Sequence, residues 1–195
     1  MTFITRDLDL QRRAKRKLYR LRKRLGKWKA EFIEEGDEDR ANTILSMEFA
    51  AESLIHELSM WILLGSNQPE KAWDRLIDAQ RYALGAVKAH VSAAHLENHV
   101  RKLQLIEEFV FPPQTFVSVG AIVHREECSI CGIDYQQCQH IAGRAYMGMF
   151  CLIICKDLEP REISLVKDPA DKRCRVTHFS DNSGKRNKMT WRLEK

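Results

Sequence analysis

The sequence predicts an α+β chain, with three or four helices first and then a small antiparallel β domain interrupted by a cysteine-rich loop. Three observations point there. Apolar residues recur at helical spacing from Leu8 to Ile106, and no proline falls between Pro69 and Pro112. Runs of β-branched residues begin only after Pro112-Pro113. The first 127 residues contain no cysteine, whereas four of the six lie between Cys128 and Cys151. A chain of 195 residues with 44% apolar content can bury a core as one unit or two small ones.

The first predicted helix is Leu8–Ile33, within a basic amphipathic region spanning residues 1–36. Ala14, Leu18, Leu21, Leu25, Trp28 and Phe32 alternate spacings of four and three, the pattern of a helix–helix seam. Gly26 weakens this helix by about 1 kcal/mol relative to Ala without interrupting the pattern. Glu34-Glu35-Gly36-Asp37 then breaks it, and Asp37 or Asp39 can cap the next helix. Residues 37–111 read as a helical hairpin or bundle. Ile44, Leu45, Ala51, Leu54, Ile55, Leu58, Trp61 and Ile62 mark a second helix from about Glu38 to Leu64. Gly65-Ser66-Asn67 closes it, and Pro69 suits the first turn of a third helix. That stretch carries Trp73, Leu76, Ile77, Leu84, Val87 and Val91, then Leu103 and Ile106. It reads as one long helix or two abutting ones with a break near Val91–His95.

Residues 114–195 form the predicted antiparallel β domain. The strand candidates are Thr115–His124, Phe150–Cys155, Arg161–Val166, Arg173–Phe179 and Lys188–Leu193. Pro160, Asp168-Pro169 and Ser180–Gly184 supply turns between them.

The cysteine-rich loop reads Cys128-Ser129-Ile130-Cys131-Gly132, then Cys138-Gln139-His140. Two cysteines separated by two residues aim both sulfurs at one point, and the following glycine lets the chain reverse. Three thiolates and one imidazole make the closed tetrahedral donor set of a structural zinc site. The spacing thus assigns Cys128, Cys131, Cys138 and His140 as ligands of one Zn²⁺, with no open coordination position for catalysis. Cys151, Cys155 and Cys174 read instead as small buried hydrophobes.

The net charge of +5 is unevenly distributed. Between Arg6 and Lys29 there are twelve Lys or Arg and two acids, so the remainder of the chain is net acidic. A basic arm on an acidic body suits an anionic polymer. Arg12, Arg13, Lys15, Arg16, Lys17, Arg20, Arg22, Lys23, Arg24, Lys27 and Lys29 are the candidate phosphate-contacting residues, of DNA or RNA. The apolar seam between them predicts a protein partner or self-association through this helix. Neither an apolar run of about 18 residues nor a secretory leader is present, so the reading is a cytoplasmic protein without membrane association. No glycine-rich phosphate loop, dinucleotide fingerprint or paired-carboxylate motif points to a small-molecule substrate.

Three pieces of the C-terminal half share the order of a known family. They are Phe116-Val117-Ser118-Val119-Gly120, the Cys128–His140 loop, and Arg161-Glu162-Ile163-Ser164-Leu165-Val166 followed by Asp168-Pro169-Ala170 and Arg173-Cys174-Arg175-Val176. Residues 116–176 resemble the C-terminal half of phage prohead (capsid maturation) serine protease domains that carry a zinc-type insertion. The resemblance implies a phage, prophage or anti-phage defence origin, and it makes Ser118 the candidate nucleophile of a serine peptidase. That family's catalytic histidine lies on a strand upstream of the serine. Here His56, His90, His95 and His99 all fall in helical pattern, and a serine without a base in reach is not activated. The resemblance therefore implies a borrowed half-barrel without peptidase activity. The expected function is a zinc-containing, nucleic-acid-associated adaptor subunit, with a serine peptidase or a purely structural subunit of a larger complex as alternatives.

Overall fold

The computed structural model describes residues 7–194, so Arg6, the first cation of the basic arm, lies outside the described residues. Among the described residues the architecture is α+β: four α-helices, then three two-stranded antiparallel sheets. Helix α1 spans Leu8–Glu34, α2 Glu38–Gly65, α3 Pro69–Ala89 and α4 Glu97–Val110. A 3₁₀ segment, Val91–Leu96, forms the expected break between α3 and α4.

Local chemistry explains each helix boundary. The Asp7 carboxylate caps α1 by accepting from the Asp9 and Leu10 amides. Asp37 does the same for α2 with the Arg40 amide at 2.9 Å, and it also holds the Arg40 guanidinium. After Gly65, Asn67 takes a left-handed φ of 55° and Pro69 opens α3. His90 ends α3 and accepts from the Ser92 amide through Nδ1.

The α2–α3 interface is lined on the α3 side by Ala72, Ala79, Ala83 and Ala86, all buried. These small residues let the helices approach until Ser46 Oγ donates to the Ala86 carbonyl at 2.8 Å and Ser53 Oγ to the Ala79 carbonyl at 2.9 Å. Helix α1 lies on α2. Leu25 is buried and Leu18 and Leu21 are half-buried there, so the seam is used within the chain. Trp28 departs from the pattern: it is 46% exposed.

Strand β1 (Phe116–Cys128) pairs antiparallel with β4 (Ile153–Val166) as a long two-stranded ribbon. Two predicted strands, Phe150–Cys155 and Arg161–Val166, are thus largely one. Pro160 does not turn the chain. It sits inside β4 opposite Ala121, where the register shifts between Gly120 and Ala121, and a bulge accommodates an amide that cannot donate. Strands β2 (Ala145–Tyr146) and β3 (Met149–Phe150) form a tight hairpin, and β5 (His178–Asp181) and β6 (Gly184–Asn187) another. Most of the predicted strand Arg173–Phe179 is irregular. Lys188–Leu193 is not a strand either, since Asn187 Oδ1 accepts from the Met189 and Thr190 amides and folds that segment into a turn.

The β half rests on the helices. Met189 joins the core of Trp73, Leu76, Ile77, Leu103 and Phe111, and Phe116 packs against it. Trp73 Nε1 donates to the Lys172 carbonyl at 3.0 Å, Lys172 pairs with Glu107, and Arg175 pairs with Glu70. No helix among the described residues is long and apolar enough to cross a membrane.

Candidate metal centre

Cys128 ends β1 and Cys131 follows it in a tight turn. The Gly132 amide donates to the Cys128 carbonyl at 2.8 Å and the Cys128 amide to the Ile133 carbonyl at 2.9 Å. Gly132 takes a φ of +74°, which a side chain would strain, so the glycine after the second cysteine is required by the turn. A 3₁₀ turn, Tyr135–Gln137, is started by Asp134 accepting from the Gln136 amide and delivers Cys138 and His140 back to the same point.

The four donor atoms of Cys128, Cys131, Cys138 and His140 all lie within 4.8 Å of one another, and the group could hold a metal ion. Cys131 Sγ is 3.5 Å from Cys138 Sγ, and His140 Nδ1 is 3.3 Å from Cys138 Sγ and 3.6 Å from Cys128 Sγ. Thiolates at about 2.3 Å around a tetrahedral zinc stand close to 3.7 Å apart, so these separations are compatible with zinc.

The electrostatics favour one thiolate. Burial opposes ionisation of Cys128, yet the Cys131 and Ile130 amides and the Cys138 and Cys131 thiols bring its pKa down to about 6. Burial pushes Cys138 up to about 11, with the neighbouring thiols adding to it. A cation at the centre of the four donors reverses that penalty, because a coordinating thiol is deprotonated outright.

Two tyrosines fix the loop around this point. Tyr146 Oη accepts from the Ile141 amide and Tyr135 Oη from the Ala142 amide, both at 2.9 Å, while the Tyr146 ring meets His140 edge-on at 4.8 Å. Met147 and Gly148 both take positive φ in the two-residue turn of the β2–β3 hairpin. Asn42 of α2 accepts from the Gly148 amide at 2.8 Å, and a Cβ on Gly148 would stand 3.0 Å from Lys29 Cδ. The loop is thereby seated on α1 and α2.

Cys151, read from the sequence as a buried hydrophobe, is buried, but its Sγ lies 3.7 Å from Cys128 Sγ. It therefore belongs to the surroundings of the candidate metal centre, and its place 20 residues past the first cysteine pair gave no spacing signal. Cys155 and Cys174 are exposed, because both sit on segments with no second layer over them.

The candidate phosphate-contacting residues are distributed along α1. Arg12, Arg13, Arg16, Lys17, Arg20, Arg22, Lys23, Arg24 and Lys27 are exposed, while Lys15 and Lys29 are half-buried. Arg22 and Lys29 pair with Glu52 and Glu48 of α2, each at 2.5 Å, and Arg12 lies 3.5 Å from Asp9. Ser118 stands opposite Ser164 in the ribbon, and no histidine hydrogen-bonds to it among the described residues. The upstream histidines are occupied elsewhere: His90 contacts Asp39 and His99 contacts Ser53. No known protein family, curated protein or solved structure matches the chain.

Proposed function

We propose that the chain is a non-catalytic, zinc-stabilised adaptor that binds nucleic acid through the outer face of α1. The observation that supports this most directly is the charge on that helix. Arg13, Arg16, Lys17, Arg20, Lys23, Arg24 and Lys27 are exposed and have no carboxylate within ion-pair distance among the described residues. Seven unneutralised cations on one helix repel each other, and a row of phosphates relieves that repulsion while releasing counterions. Tyr19 and Trp28, both about half exposed, interleave with these cations and suit base stacking.

In this reading Cys128, Cys131, Cys138 and His140 hold one zinc ion, whose role is to hold the loop in shape. Its closed donor set, and a Ser118 without a histidine partner, support a non-catalytic protein. The ribbon pairing of Phe116–Gly120 with Glu162–Val166 suits a half-barrel borrowed from a phage prohead protease, in a cytoplasmic protein of phage or anti-phage origin.

The test is binding to a 20-nucleotide duplex and single strand, followed by fluorescence anisotropy across a salt series. If about five phosphates are neutralised on the duplex, the slope of log affinity against log salt is near −4.5. Arg16→Glu, Arg20→Glu and Lys23→Glu together should weaken binding broadly, with little dependence on base sequence. Unchanged binding in that variant would contradict the proposal. Loss of a protein partner instead would make α1 an assembly element of a larger complex.

A further inference from the structure

The β1–β4 ribbon is amphipathic, with an apolar face that the other described residues leave largely exposed. Directly paired residues on antiparallel strands share a face, so the register fixes which side chains stand together. Four alternate pairs, Val117↔Leu165, Val119↔Ile163, Ala121↔Pro160 and Val123↔Leu158, are apolar without exception. The intervening pairs include Ser118↔Ser164, Gly120↔Glu162 and Ile122↔Glu159, which make the other face largely polar. On the apolar face Val119 is 60%, Leu158 55%, Ile163 75% and Leu165 73% exposed. A ribbon of two strands has no second layer of its own, and such ribbons are marginally stable in water.

We infer that this face packs against the same face of a second copy of the chain, forming a small β-sandwich around a two-fold axis parallel to the strands. Size complementarity selects this occupant. The β4 row is mostly large (Leu165, Ile163, Pro160, Leu158) and the β1 row small (Val117, Val119, Ala121, Val123). A two-fold axis along the strands lays β4 of one copy over β1 of the other. Every large side chain then meets a small one at its own level, as interdigitating sheets require. The absence of charge over all four pairs removes any like-charge penalty between copies. Eight residues at about 3.3 Å rise on two strands about 4.8 Å apart make a face about 26 Å by about 10 Å. Its protruding side chains offer on the order of 400 Å² of accessible surface, so a pair buries on the order of 800 Å², the size of a weak interface. The dimer is accordingly weak, with a dissociation constant on the order of 10–100 μM.

Sedimentation velocity of the full chain over a concentration series from about 1 to about 1,000 μM, tenfold either side of that range, provides the test. The expected result is a monomer–dimer equilibrium. Ile163→Glu and, separately, Leu165→Glu should each raise the dissociation constant at least about a hundredfold, since every dimer then buries two unpaired carboxylates. Both positions are too exposed for either change to disturb the fold. Ser164→Lys, on the opposite face, should leave the equilibrium unchanged. A chain that stays monomeric throughout the series, or a dimer indifferent to both glutamate substitutions, would overturn the inference.

Discussion

The helical and β halves of this chain are stabilised by different means. Among the described residues, nineteen buried hydrophobic residues lie from Leu25 to Phe111, whereas only Cys128, Ala145, Cys151 and Met189 are buried hydrophobics beyond that point. Two of those four are thiols at the candidate metal centre. The helices follow the usual course of burying an apolar stripe against a neighbour. The β half has long strands with large exposed residues and three separate two-stranded sheets, none of which encloses a core. In the proposed reading, a metal ion held by the clustered Cys128, Cys131, Cys138 and His140 supplies the cross-link that apolar burial does not.

The largest expected effect separates the halves. Removing the metal with a chelator, or replacing Cys131 with Ser, should unfold residues 128–152 while leaving α2 and α3 folded. Hydrogen exchange is the readout. Amides around the loop should lose nearly all protection, and those of α2 and α3 should keep theirs. Uniform loss along the chain would mean that the loop is integral to the helical core.

Trp73→Ala should act in the opposite sense. Trp73 is buried, meets Phe111 edge-on at 5.4 Å and donates to the Lys172 carbonyl, so it joins the helices to the C-terminal segment. Its removal should cost about 3–5 kcal/mol in denaturant unfolding of the whole chain. The metal-to-protein ratio of the fraction that remains folded should not change.

Gly148→Ala tests the seating of the loop on α1. The left-handed φ of 73° and the approach of Lys29 together should cost about 1–2 kcal/mol. The effect should show in thermal unfolding, with metal binding retained.

The smallest effect concerns Asp171. Hydrogen bonds from the Arg173 guanidinium hold its pKa down to about 2 despite partial burial. The folded value lies below the unfolded one, so the stabilisation is present above about pH 4 and is lost as pH falls through 2. Asp171→Asn should therefore destabilise by no more than about 1 kcal/mol at neutral pH, because the pair is partly solvated. Below about pH 2 the two proteins should unfold alike.

The helical half was legible because its signals are local. Capping residues, Pro69 and the 3.6-residue period fix α1 to α4 within a few residues, including the break at Val91–Leu96. The exposure of Trp28 was not legible. Its position fits the seam, and only the way α1 lies on α2 turns it outward. The clustering of Cys128, Cys131, Cys138 and His140 was legible because coordination chemistry constrains such spacing along the chain. The supporting groups Asn42, Tyr135, Tyr146 and Cys151 were not, since folding alone brings them together. In the β half, pairing depends on register between distant segments. Pro160 reads locally as a turn, yet a bulge opposite Ala121 keeps it inside β4, and the Asn187 side chain folds Lys188–Leu193 away from strand geometry.

Elemental analysis coupled to native mass spectrometry tests most directly the proposal that one metal ion replaces a hydrophobic core in the β half. Freshly purified protein should carry one zinc per chain, and Cys131→Ser should carry none. Metal-free protein whose loop amides are nonetheless protected from exchange would contradict the account.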